Sequence, residues 1–153
     1  MKRYDVIMPY FKQHPNGESE EAEKMFQRFL SEGFSYEDIS NHPDYPVYAS
    51  TKFLKHMLPL MIEEMLLRND TENFLVYHII SAIDPEVSTN IMGSDDQYNL
   101  KRAQEIVSLA DKKFAEKAYD FLVAIKSDPP NDEEQIKRLL PFWKKKLEEL
   151  EGD

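Results

Sequence analysis

The apolar stretch over residues 48–69, YASTKFLKHMLPLMIEEMLLRN, carries a proline near its centre. Pro59 has no backbone N–H, and its ring crowds the carbonyl group of Lys55, which costs roughly 3 kcal/mol in a regular helix. A helix that keeps a proline among leucines and methionines must be stabilised by packing against the rest of the chain. The stretch therefore predicts a helix that lies in a hydrophobic core and is kinked at Pro59.

Apolar residues recur every three or four positions in most of the remaining chain, and this spacing is typical of helices that bury one face. No segment alternates apolar and polar residues for long enough to indicate a sheet. We therefore expect a single all-α domain of five to seven helices over residues 1–153, with a second internal proline, Pro141, in the last helix. Residues 1–17 are expected to form a lead-in, and residues 151–153 a disordered tail.

Residues that favour helix ends mark the predicted boundaries. The predicted N-caps are Ser19, Ser35, Ser50 or Thr51, Asp70 or Thr71, and Asn131. Gly33 is expected to end the first long helix, and residues 84–99 are expected to form the longest loop. Residues 100–126 fit either one helix or two helices that separate near residues 108–111, in which case Asp111 would cap the second.

The length and composition limit the class of protein to which the chain can belong. At 153 residues and 41% hydrophobic content, the chain is long enough to bury the core of one domain. It contains no cysteine, which excludes disulfide bonds and thiolate metal ligands and fits a reducing compartment. The N-terminal residues lack the apolar run of a signal peptide, and no run approaches the ~18 apolar residues of a membrane span. We therefore expect a soluble, cytoplasmic protein.

The charge is acidic and unevenly distributed. The chain has 29 acidic and 19 basic residues, for a net charge of −10, and eight of the acidic residues lie between residues 18 and 48. Such a surface repels a phosphate backbone, which argues against nucleic-acid binding, whereas it attracts a basic protein. The alternative is a surface that serves only solubility. The residues predicted to contact a basic partner are Glu20, Glu21, Glu23, Glu37 and Asp38.

Two of the four histidines lie in the most apolar predicted helices. His56 shares one face of the Pro59 helix with Glu63 and Glu64, at offsets of seven and eight residues, and His78 lies in the next helix. These four residues are the candidates for a small-ligand pocket or an active site. Metal-ligand spacings, nucleophile motifs and glycine-rich phosphate loops are absent from the sequence. We therefore expect no metal and no cofactor, and the sequence favours a role other than catalysis.

Phe142 and Trp143 lie in the last predicted helix. An exposed aromatic pair would anchor a partner or a second copy of the chain. A tryptophan in an apolar pattern, however, more often belongs to a core. We therefore expect Trp143 in the core, and a structural module that forms homo-oligomers stays as an alternative.

Four segments form a recognisable set. They are Phe11 with the turn at residues 14–17, FLSEGFSYEDI at residues 29–39, TKFLKHMLPLMIEEML at residues 51–66, and Phe121-Leu122 with the late Trp143. Together they resemble a family of small bacterial proteins of unknown function, in which an early turn, a helix with Leu-Pro and a late tryptophan recur. The resemblance implies a helical fold and transfers no catalytic residue.

Three functions are compatible with these patterns. The favoured hypothesis is a protein-binding or inhibitory module of the immunity type, whose acidic surface contacts a basic protein. The alternatives are a small-ligand binder or enzyme with a pocket near His56, Glu63 and Glu64, and a structural homo-oligomer. The sequence leaves the identity of any partner or ligand, and the oligomeric state, open.

Overall fold

Eight α-helices and one 3₁₀-helix form the described part of the chain in the computed structural model, which covers residues 5–86, 97–126 and 133–152. In chain order the α-helices are α1 (Pro9–Gln13), α2 (Gly17–Glu32), α3 (Tyr36–Asn41), α4 (Thr51–Leu67), α5 (Leu75–Ile83), α6 (Gln97–Leu109), α7 (Lys112–Ile125) and α8 (Glu133–Glu151). The 3₁₀-helix, Tyr45–Tyr48, lies between α3 and α4. These ranges contain no strand and form one domain, so the all-α prediction is confirmed. The helix count exceeds the predicted five to seven because the lead-in forms α1 and residues 97–125 form two helices, α6 and α7.

The lead-in is fastened to the chain just before α4. Val6, Ile7 and Met8 are buried. The Met8 N–H donates to the Tyr48 carbonyl at 2.9 Å. In the other direction, the Ser50 N–H donates to the Val6 carbonyl at 2.8 Å. This antiparallel bridge brings α1 next to the start of α4, where the two helices form part of a cavity described below.

The apolar side of α4 is completely buried. Its residues with at most 1% exposure are Phe53, Leu54, Met57, Leu58, Met61, Ile62 and Met65. Pro59 lies within α4, as predicted, and is only partly buried. Pro141 lies within α8 and is exposed. Both prolines are therefore on the outer side of their helices, where water can bond the carbonyl groups that their rings displace.

Side-chain caps fix three of the predicted helix starts. Ser35, Ser50 and Asp111 each accept a hydrogen bond from the backbone N–H three residues later, at 3.2, 3.1 and 2.9 Å respectively. Asp111 therefore starts a separate helix, and the two-helix alternative for residues 100–126 is correct. Gly33 ends α2 with a φ of 106°, in the left-handed region that favours glycine.

The predicted N-cap of α2 is wrong by three residues. Asn16 is the cap, because its side chain accepts a hydrogen bond from the Ser19 N–H at 2.7 Å. The Ser19 hydroxyl accepts in return from the Asn16 N–H at 2.9 Å, which completes a capping box. Ser19 is thus the third helical residue. Either side chain is a good cap by type, so the pair alone does not reveal which of the two is outside the helix.

The predicted N-cap of α5 is also wrong. The helix begins at Leu75, whose N–H donates to the Asn73 side chain at 2.9 Å, and neither Asp70 nor Thr71 caps it. The Asp70 carboxylate accepts instead from the Tyr36 hydroxyl at 2.7 Å. The Asp70 carboxylate, which the local pattern assigns to the helix end, is therefore bonded to a distant segment of the chain instead.

The last helix is fixed to the end of α5 by buried polar contacts. Trp143 is fully buried, and its indole N–H donates to the Ile83 carbonyl at 3.0 Å. The Asp84 carboxylate, also fully buried, accepts from Arg138 at 2.6 Å and from Gln135 at 2.7 Å. α8 packs against α7, which packs against α4, while α5 packs against α6. The prediction that Trp143 belongs to the core is confirmed.

Some predictions fall outside the described residues. They concern the cap Asn131, residue 153 and most of the loop predicted over residues 84–99. In the part of the chain that is described, no helix has both the length and the apolar character needed to cross a membrane.

Candidate functional site

The acidic residues in the first half of α2 divide between two sides of the helix. Successive positions advance by about 100° around a helix. Glu18 and Glu21 therefore flank the buried face on one side, and Glu20 and Glu23 flank it on the other. The first pair lies toward the 3₁₀-helix, because the Tyr48 hydroxyl donates to the Glu18 carboxylate at 2.8 Å.

Carboxylates from two segments meet around the tyrosines of the 3₁₀-helix. Burial, followed by the charges of Glu21 and Glu18, raises the pKa of Tyr45. Burial also raises the pKa of Tyr48, with further contributions from its hydrogen bond to Glu18 and from the charge of Asp44. Tyr48 is buried, whereas Tyr45 and the three carboxylates are partly or fully exposed. We call Glu18, Glu21, Asp44 and Tyr45 the acidic–aromatic surface.

The five predicted partner residues are spread over several surfaces. Glu21 belongs to the acidic–aromatic surface and forms an exposed ion pair at 3.4 Å with a lysine of the same helix. Glu20 is exposed on the opposite flank of α2, where Glu23 forms an ion pair with a lysine of α1. Glu37 is exposed on α3, and Asp38 forms an ion pair at 2.8 Å with an arginine of α2. The structure therefore does not bring these five carboxylates together on one face.

His56 lines an open cavity of about 420 Å³ between α4 and α7. Three lysines, Lys52, Lys55 and Lys113, share the wall with Asp111. The Asp111 carboxylate already caps α7. Among the described residues, no carboxylate lies within 4 Å of the amino group of Lys55 or Lys113. We call this site the cationic cavity.

The other predicted pocket residues lie elsewhere. Glu63 forms an ion pair with Lys117 at 3.8 Å, and Glu64 forms one with Arg68 at 3.1 Å. His78, on α5, is 2% exposed. Of the four predicted pocket residues only His56 belongs to the cationic cavity as described. The four residues thus occupy three different environments.

A buried polar cluster that no sequence pattern indicates surrounds Arg102 on α6. Arg102 is 3% exposed, and burial lowers its pKa to about 10. Its Nη1 donates to the carbonyl groups of Pro46, Val47 and Ala49 at 3.1, 3.2 and 2.7 Å. Its Nε has no hydrogen-bond partner among the described residues. The side chain therefore holds the 3₁₀-helix in place while part of its guanidinium is unbonded.

His78 lies beside this arginine as a neutral imidazole. Burial, and then the charge of Arg102, lower the pKa of His78 to about 3. Its Nε2 is 3.8 Å from a carboxylate oxygen of Asp44 and makes no hydrogen bond within the described ranges. Since the imidazole is neutral near pH 7, this contact is not an ion pair at that pH.

Arg102 also lines a second open cavity, of about 350 Å³, formed by α1, the start of α4 and α6. Lys101 contributes a further cation to its wall. Two exposed tyrosines, Tyr10 and Tyr98, lie with their ring centroids 4.5 Å apart at the same site. We call this site the Arg102 cavity.

The described residues and the comparisons with known proteins add no assignment. No group of three or more His, Asp and Glu side chains within the described ranges converges as a metal site requires. Comparison with family models, with curated proteins and with solved structures finds no match to this chain. The resemblance to small bacterial proteins therefore stays an interpretation of the sequence, and function has to be argued from the geometry.

Proposed function

We propose that the protein is a protein-binding module, of the inhibitory type, whose acidic–aromatic surface docks a basic protein. The observation that carries the proposal is the meeting of carboxylates from separate segments around Tyr45 and Tyr48. Glu18 and Glu21 come from α2, and Asp44 comes from the turn before the 3₁₀-helix. An inhibitor of this kind would act by covering a basic functional surface of its partner.

The chemistry of the surface suits such a partner. Three carboxylates on one surface attract a basic protein at a distance and speed the encounter. Tyr45 offers a ring for contact and for a cation–π interaction with an incoming lysine or arginine. The ring of His42 stacks on Tyr45 with 4.6 Å between the centroids, which fixes the orientation of the tyrosine. We propose the cytoplasm as the compartment, since a chain without cysteine needs no oxidising environment.

The test is capture of partners from a lysate of the native cell on the immobilised protein. The wild-type protein is expected to capture a basic protein at low salt. It should release that protein at roughly 0.5 M salt, where the Debye length falls to about 4 Å. Glu21→Lys is expected to weaken the capture by about tenfold, because it replaces an attraction by a repulsion within the surface.

Glu20→Lys is the matched control, because it makes the same charge change on the opposite flank of α2. It is expected to keep capture within about twofold of the wild type. An equal loss for both variants would mean that net charge alone governs binding. Undiminished capture by Glu21→Lys would refute the docking surface.

The cationic cavity favours a second candidate function, the binding of a small anion. Its wall carries three lysines and His56 against one carboxylate, and that carboxylate caps a helix. Titration with inorganic pyrophosphate is expected to shift the amide NMR signals around Lys55 in α4. Lys55→Ala should weaken binding by about fivefold, whereas Lys24→Ala, on α2, should not change it. Equal binding by wild type and Lys55→Ala would remove this candidate.

The third candidate, a homo-oligomer, loses its aromatic anchor. Trp143 is fully buried and Phe142 is partly buried against the core. The oligomeric state itself stays a prediction that light scattering would decide.

A further inference from the structure

Arg102 is a buried cation that contacts neutral acceptors. Its Nη1 is bonded to three backbone carbonyl groups. Its Nη2 donates to the Asn99 side-chain oxygen at the long distance of 3.4 Å, and its Nε has no hydrogen-bond partner in the part of the chain that the structure describes. Within the described ranges, no carboxylate lies within 4 Å of this guanidinium.

Neutral carbonyl groups solvate a guanidinium without cancelling its charge. A buried charge with no opposite charge nearby carries a large desolvation penalty. A guanidinium also has five N–H donors. In the described contacts Nη1 donates over short distances and Nη2 over a long one, so some of the donors lack a good acceptor. A bound oxyanion would provide both the missing charge and the missing acceptors.

The Arg102 cavity provides room for such an anion. Its polar wall carries two cations, Lys101 and Arg102, and one carboxylate, Glu105. That carboxylate accepts a hydrogen bond from the Thr51 hydroxyl at 3.2 Å. Among the described residues, no carboxylate lies within 4 Å of the Lys101 amino group. The positive charge of the wall therefore exceeds its negative charge by one.

Apart from Gln13 and Thr51, the remaining wall is apolar and aromatic. Tyr10 and Tyr98 are 38% and 41% exposed, and their ring centroids are 4.5 Å apart. Met8 and Pro9 complete this side of the cavity. A volume of about 350 Å³ lies near the lower end of the range for small-molecule sites, so it suits a ligand with a single ring.

We propose that the Arg102 cavity binds a small molecule that carries one compact oxyanion, a carboxylate or a phosphate, on a flat apolar body. The oxyanion contacts Arg102 and Lys101, and the apolar body covers the exposed rings of Tyr10 and Tyr98. Glu105, on the same wall, disfavours ligands with a second anionic group at that end. This site is separate from the acidic–aromatic surface, and the proposal does not rest on protein docking.

The experiment is a titration of the full-length protein with benzoate, phenyl phosphate and benzamide, followed by calorimetry and by amide NMR. The two anions are expected to bind and to shift the signals of α1 and α6. Benzamide has the same ring without the charge, and it is expected to bind at least about tenfold more weakly. The tighter of the two anions identifies the oxyanion as a carboxylate or a phosphate.

Variants locate the site and keep the test independent of folding. Lys101→Ala removes an exposed cation, and it should weaken benzoate binding about fivefold. Tyr98→Ala should weaken it to a similar extent. Lys144→Ala, at an exposed position of α8 that does not line this cavity, is the matched control and should have no effect. Equal affinity for benzamide and benzoate, equal loss in both lysine variants, or absence of binding up to about 10 mM would overturn the proposal.

Substitutions of Arg102 itself distinguish a structural role of this arginine from a role in ligand binding. Arg102→Lys keeps the charge but loses the planar fork of donors, so it should reduce the preference for benzoate over benzamide. Arg102→Met should abolish that preference. If Arg102→Met does not fold, the result with Lys101→Ala and Tyr98→Ala decides. An unchanged preference in a folded Arg102→Met protein would show that the arginine only supports the backbone.

Discussion

Asp84 and Arg102 are both buried and charged, yet they have different partners. Asp84 is fully buried at the end of α5 and forms an ion pair with Arg138 of α8 at 2.6 Å. Arg102 is 3% exposed on α6 and is bonded to backbone carbonyl groups and an amide. In the ranges that the structure describes, the buried anion thus has an opposite charge as its partner and the buried cation has none.

This difference separates a structural contact from a candidate binding site. The Asp84 region joins α8 to α5 and is complete, because charge and hydrogen bonds are both satisfied there. The Arg102 region joins α6 to the 3₁₀-helix but leaves a charge uncompensated at the wall of a cavity. Removing the partner of a paired charge isolates the other charge, whereas removing an unpaired charge also removes its desolvation penalty. The costs of the corresponding substitutions should therefore differ.

The largest effect is expected for Arg138→Met. This substitution leaves the buried Asp84 carboxylate without its cation, so the free energy of unfolding should fall by about 3 kcal/mol in urea denaturation. Lys137→Met is the control, since Lys137 is an exposed neighbour with exposed ion-pair partners and should change stability by about 0.5 kcal/mol at most. Similar costs for both variants would mean that the Asp84 pair is not a stabilising contact.

A smaller loss, of about 2 kcal/mol, is expected for Arg102→Met. Three carbonyl groups lose their donor, but the desolvation penalty of the buried cation disappears at the same time. Lys101→Met, at the exposed neighbouring position, should change stability by less than about 0.5 kcal/mol. A larger loss of unfolding free energy for Arg102→Met than for Arg138→Met, in the same urea series, would contradict the expected order.

The third prediction concerns pH and the neutral histidine beside Arg102. The pKa of His78 is about 3 in the folded protein, against an ordinary value of 6.5. Between these two pH values the imidazole binds a proton in the unfolded chain but not in the folded protein. Stability should therefore fall as the pH drops below about 6.5, by up to about 1.4 kcal/mol per pH unit. His78→Gln should remove this contribution, and His56→Gln, at an exposed position, should leave it in place. Urea denaturation between pH 5 and pH 8 measures it, and parallel profiles for wild type and His78→Gln would contradict the buried neutral state.

The smallest effect is expected for Gln135→Ala. The Gln135 amide donates to the Asp84 carboxylate at 2.7 Å, and its loss should cost about 1 kcal/mol because the ion pair with Arg138 remains. The control is Gln104→Ala, whose amide donates to a backbone carbonyl at an exposed position and should cost about 0.5 kcal/mol or less. A loss for Gln135→Ala as large as that for Arg138→Met would show that hydrogen bonding, rather than charge, stabilises Asp84.

The helices and most of their ends were predictable because they depend on neighbours in the sequence. The caps at Ser35, Ser50 and Asp111 act on the N–H three residues later, so each is visible in a short window. Asp70 shows where such a window fails. Its carboxylate is equally suited to a cap, but the hydroxyl of Tyr36, 34 residues earlier, binds it.

The candidate sites were much less predictable. Glu21 and His56 were found, one from the local charge and the other from the apolar helix that carries it. Arg102 was missed because an arginine in a polar helical pattern is typical of a solvated face, and its burial comes from carbonyl groups more than 50 residues away. His78 was assigned to a pocket by its helix, whereas the fold encloses it beside that arginine.

By itself the sequence determined the all-α class, the internal proline of α4 and the burial of Trp143. The spacing of apolar residues and the fixed geometry of proline act within one or two helical turns, so they are legible without a structure. Only the tertiary structure decided that carboxylates of α2 and Asp44 meet around the tyrosines of the 3₁₀-helix, and that Arg102 lies buried beside a cavity. Charge pairing and desolvation are properties of contacts between distant segments, and these contacts exist only once the helices have packed.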